Sequence, residues 1–119
     1  MKQQNERNHI QKEKQNALQN ELQARRKKLN QETARIPWQE LLRQFAAGKV
    51  LWVSNDLDLI EVALCIALDD SAKVQEWLAG QQLGKVSDAT AQAWLDQAAQ
   101  LWAVVVNPWV LVQQNKPAE

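Results

Sequence analysis

The stretch L-W-A-V-V-V-N-P-W-V-L-V-Q, residues 101–113, carries no charged side chain. It is β-branched and aromatic, and far shorter than the roughly 20 apolar residues that cross a bilayer. A run of this kind reads as strand buried on both faces of a sheet. Pro108 has no N–H to give a ladder, so it belongs at an edge, a bend or a turn. Strands are therefore expected over 101–106 and 109–113. A two-residue Asn-Pro hairpin fits poorly with the favoured type I′ turn, which needs positive φ at both positions. One long kinked strand serves equally well.

A sheet covered on two faces needs apolar helices, and the preceding sequence supplies them. Trp38, Leu41, Leu42, Phe45 and Ala46 repeat at helical spacing behind Pro37, which suits a first helical position. Gly48 is placed to end that helix as its C′ residue, and K-V-L-W-V (49–53) reads as a strand. Ser54, Asn55 and Asp56 offer caps for a helix over about 57–68. That helix is apolar all round except for a stripe of Asp58, Glu61, Cys65 and Asp69, the pattern of a central, mostly covered helix. Asp70 or Ser71 caps a shorter helix with Val74, Trp77 and Leu78 inward and Gly80 at its end. Leu83–Val86 is a weak strand interrupted by Gly84. Ser87 and Asp88 cap a last helix that buries Ala91, Trp94, Leu95 and Ala98. The fold expected is α/β or α+β: a three- to four-stranded sheet with packed helices, preceded by a polar N-terminal helix.

Residues 1–28 differ from everything after them. Gln, Asn, Glu, Lys and Arg dominate, without Pro or Gly, and these are mostly good helix formers. Leu18, Leu22 and Leu29 make one thin stripe, too narrow for a core. The organisation expected is a polar, basic arm over 1–28 that is helical or partly disordered, a compact domain over 29–114, and a disordered tail over 115–119. Residues 1–35 hold nine Lys/Arg against four Glu, whereas residues 36–119 hold five against ten. A basic arm therefore adjoins an acidic body.

Several chemistries can be weighed residue by residue. His9 is the only histidine, which leaves no multi-histidine metal site and no His-based triad within one chain. Cys65 is the only cysteine, so no intrachain disulfide forms. It lies mid-helix among carboxylates that disfavour its thiolate, so it reads as a structural thiol. The three glycines are isolated, and no phosphate-binding loop exists. No catalytic or metal-binding residue is assigned and no cofactor is expected. The N-terminus M-K-Q-Q-N-E-R-N-H-I lacks the apolar segment of a secretory signal. A cytoplasmic protein without a membrane span is the economical reading.

What remains are surfaces. Asp56, Asp58 and Glu61 cluster at a helix start. They are first-turn acids favoured by the helix dipole, or an acidic stripe for a partner, or the acids of a metal-dependent enzyme. Arg25, Arg26, Lys27 and Lys28 form the densest basic run. It either is solvated or folds back onto the acidic body, or it contacts nucleic acid or another polyanion. Of the six tryptophans, Trp38, Trp77 and Trp94 sit on inner helix faces. Trp52, Trp102 and Trp109 lie in or beside strands, where Trp102 or Trp109 facing outward would make an interface anchor.

Three segments, E-T-A-R-I-P-W-Q-E-L (32–41), L-D-L-I-E-V-A (57–63) and the 101–113 run with its P-W-V-L-V-Q ending, resemble a family of small bacterial proteins known only as a domain of unknown function. The likeness covers about residues 29–114. Asn107 stands where the family pattern has a small residue. The resemblance implies a bacterial, cytosolic protein and carries no activity or site. The function expected is that of a small cytosolic accessory domain, non-enzymatic, that binds an unidentified protein partner or a second copy of itself. Polyanion binding through the arm and metal-dependent catalysis through residues 56–61 are the alternatives.

Overall fold

The computed structural model describes residues 2–115, with side chains from residue 13 onward. The side chain of His9 and residues 116–119 of the tail lie outside the described residues. Helix α1 (Lys2–Glu32) leads into strand β1 (Ala34–Pro37), a 3-10 turn (Trp38–Leu41) and helix α2 (Leu42–Ala46). Then follow β2 (Val50–Val53), α3 (Leu59–Ala67), α4 (Ser71–Ala79), β3 (Leu83–Lys85), α5 (Asp88–Asp96), β4 (Gln100–Val106) and β5 (Trp109–Gln113). The fold is α+β.

The strands make one five-stranded mixed sheet in the order β1-β4-β5-β2-β3. Only β2 and β5 run parallel; every other neighbouring pair is antiparallel. The expected three or four strands fall short by β1. The segment A-R-I-P pairs with β4, Ala34 opposite Ala103 and Ile36 opposite Leu101. Pro37 opens no helix. It closes this edge strand with extended backbone and precedes the 3-10 turn, a place where its missing N–H removes no interior ladder bond.

Residues 101–113 form a hairpin, not a kinked strand. Val106 pairs with Trp109 across Asn107-Pro108, whose peptide bond is cis. Type I′ geometry was the wrong template; a turn with cis-proline at its third position belongs to type VI.

Strand alternation divides the core between the two sheet faces. On one face Val50, Leu101, Ala103, Val110 and Val112 meet Trp38, Leu41, Ala91 and Trp94. The buried Trp38 indole donates to the carbonyl of Ala91 at 3.0 Å and stacks edge-on against Phe45 and Trp94. Its polar atom is thereby satisfied inside an apolar cluster. On the other face Leu51, Val53, Val104 and Leu111 meet Leu59, Val62 and Ala63 of α3, with Leu29 of α1 and Val74 and Trp77 of α4 at the margin. The near-continuous apolar run at 101–113 thus serves two cores at once.

Helix α3 is capped by Asp58, whose carboxylate accepts from the Ile60 N–H at 2.9 Å. Ser54, Asn55 and Asp56, the expected caps, instead form the loop before it, where Ser54 Oγ accepts from the Asp56 N–H. Asp70 caps α4 and Ser87 caps α5, as anticipated. Gly80 closes α4 as its C-cap, as expected. Gly80 has φ −81 and it is Gln81 that takes φ 57. Leu78 turns outward and is 44% exposed, and Leu95 is 40% exposed. Ala98, expected inside α5, lies beyond its end with φ 50.

Candidate functional site

The acidic cluster separates into different tasks. Asp58 caps its helix, Asp56 is exposed in the loop, and Glu61 faces α1. Among the described residues no three His, Cys, Asp or Glu side chains are grouped closely enough to hold a metal ion. The basic run separates too. Arg26 crosses to Glu61, with Nη2 2.7 Å and Nε 2.9 Å from Glu61 Oε1. Arg25 pairs with Glu21 one helical turn back at 3.5 Å, leaving Lys27 and Lys28 exposed. The two candidate patches are therefore brought together at one contact. Sequence spacing explains it: Leu22, Arg26, Leu29 and Thr33 recur at helical intervals and are the half-buried positions of this stretch.

Cys65 is half-buried on α3 and free. Burial pushes its thiol up, Asp70 and Glu61 push it further, and Lys73 and Arg26 pull it partly back. A thiol held in this state is a poor nucleophile at neutral pH.

Of the two flagged strand tryptophans, Trp102 is half-buried and packs on the α3 face. Trp109 borders a cleft. It shares a cavity of about 410 Å³ with Leu51, Leu83, Ile66, Val74 and Leu78. Leu51 and Trp109 come from β2 and β5, Leu83 from the edge strand β3. Ile66 closes one end from α3, and Val74 and Leu78, four residues apart, line the wall from α4. Cavities of this size with mostly apolar walls and a few polar groups are where proteins take up ligands and partner side chains.

Three polar residues edge the cleft: Asp69, Ser71 and Lys85. Asp69 follows α3 in the left-handed region, φ 56. Lys85 shares the sheet face of Leu83, two residues along β3. Asp69 and Lys85 are exposed, and neither forms an ion pair among the described residues. The indole of Trp109 makes no hydrogen bond to another described side chain or carbonyl.

Sequence patterning found Trp109 and placed Val74 and Leu78 on an inner helix face, but it read Leu83 only as part of a weak strand and gave Lys85 no role. Periodicity identifies the apolar side of α4. It does not show that the edge strand is too short to cover all of that side.

These elements form a small α+β domain with helices on both faces of a mixed sheet and an open apolar cleft at one edge. The chain belongs to the family described as Protein of unknown function (DUF2288), whose model matches residues 24–114. Its fold is similar to the NMR solution structure of PA1075 from Pseudomonas aeruginosa, with a TM-score of 0.68. That protein is 47% identical over 82% of this chain and 86% of its own. No curated protein matches the chain. Among the described residues, no helix is long and apolar enough to cross a membrane.

Proposed function

We propose that this chain is a cytosolic, non-enzymatic accessory domain that binds a protein partner through the Trp109 cleft. The observation that carries this reading is the cleft itself. Six apolar side chains from five elements converge on about 410 Å³ that no side chain of the described residues fills. Trp38, Trp94, Leu59 and Val62, by contrast, are buried against the sheet, each at most 6% exposed. Leaving apolar walls open to water forgoes roughly 25 cal/mol for each Å². A partner that buries Trp109 and Leu78 recovers that energy, and aromatic anchors in such pockets dominate binding.

The acidic stripe and the basic run give weaker support to their own readings. Arg26 and Glu61 are committed to each other, and Asp58 to its helix, so fewer of these groups are left to meet a metal or a polyanion.

The test compares partners retained at endogenous level by wild type, Leu78→Glu and Val105→Glu. Val105 is 54% exposed on the opposite sheet face and serves as the control. A partner lost with Leu78→Glu and kept with Val105→Glu supports the proposal. Identical retention by all three overturns it.

A further inference from the structure

We draw no further inference here: the strongest candidate, the open apolar cleft walled by Trp109, Val74 and Leu78 at the β3 edge of the sheet, belongs to the site already described, and nothing in the structure shows what covers it.

Discussion

Arg26 on the long N-terminal helix places Nη2 2.7 Å from Oε1 of Glu61 on α3. The contact joins the basic beginning of the chain to its acidic body, and it sits beside Leu29, which packs on the same face. Both side chains keep over a third of their surface in water, so solvent weakens their attraction. Pairs of this exposure contribute about 0.2–1 kcal/mol. A double-mutant cycle of Arg26→Ala and Glu61→Ala, read by urea unfolding, should give a coupling energy in that range at low salt. In high salt it should fall towards zero. A coupling above about 2 kcal/mol would mean a drier contact than this geometry provides.

Among the described residues Gln113 is the one buried polar side chain, at 1% exposure. Its Nε2 donates to the carbonyls of Ser54 at 2.8 Å and Leu57 at 2.7 Å. The end of β5 thereby fixes the loop that leads into α3. Gln113→Ala leaves the Leu57 carbonyl without its donor, whereas the Ser54 carbonyl keeps the Leu57 N–H at 3.0 Å, and should destabilise the domain by on the order of 2 kcal/mol. Gln113→Glu should be worse at neutral pH, because a carboxylate would face two carbonyl oxygens. Burial and those oxygens raise the pKa of such a glutamate above its unfolded value. Its protonated form, able to donate to one carbonyl, is thus favoured by folding, and stability falls as pH rises. Urea midpoints for Gln113→Glu should therefore climb between neutral and acidic pH relative to Gln113→Ala.

The elements with strong periodicity were legible in the sequence for physical reasons. The 101–113 run, the caps at Asp70 and Ser87 and the inner faces of Trp38 and Trp94 each follow from a local rule. Strand β1 was not legible, because A-R-I-P has one half-buried side chain and a proline, and only its pairing with β4 makes it a strand. The cap at Asp58 was missed because three equally good caps precede it. The cleft was half legible. Trp109 announced itself as a strand tryptophan, while the openness beside it depends on how far β3 reaches across α4, which is a property of the assembled sheet. The fold-back of Arg26 onto Glu61 was legible only as complementary charge, since the pairing spans 35 positions.

Cys65 offers a chemical check on its surroundings. Its thiol is raised first by burial and then by Asp70 and Glu61, against the opposing pull of Lys73 and Arg26. Alkylation by iodoacetamide should therefore be slower at neutral pH than for an unstructured cysteine. Its pH profile should bend above the ordinary thiol value. Arg26→Gln removes one of the two cations and should move the bend higher; Asp70→Asn should move it lower. A bend below the ordinary value would mean that the thiolate is stabilised, contrary to these neighbours.

Four helices end in the same way, and only one of them uses glycine at the critical position. After α2, α3, α4 and α5 the left-handed residue is Gly48 (φ 72), Asp69 (φ 56), Gln81 (φ 57) and Ala98 (φ 50). Each end closes with the paired backbone bonds of a Schellman motif; at α5 they run from the Ala99 N–H to the Trp94 carbonyl and from the Ala98 N–H to the Leu95 carbonyl. A side chain with a Cβ in this region costs about 1–2 kcal/mol relative to right-handed backbone. Glycine escapes that cost but loses about 0.5–1 kcal/mol through its freer unfolded chain. Ala98→Gly should therefore stabilise the domain by about 0.5–1 kcal/mol, raising Tm by on the order of 4 °C. Gln81→Gly should act in the same direction. The reverse change is equally clean. A Cβ at Gly48 would meet nothing closer than Lys85 Nζ at 3.9 Å, so Gly48→Ala creates no clash and its loss is purely conformational, about 1 kcal/mol. Thermal and urea unfolding of the three variants should show opposite signs for Ala98→Gly and Gly48→Ala. Equal signs would mean that these helices do not end in left-handed backbone.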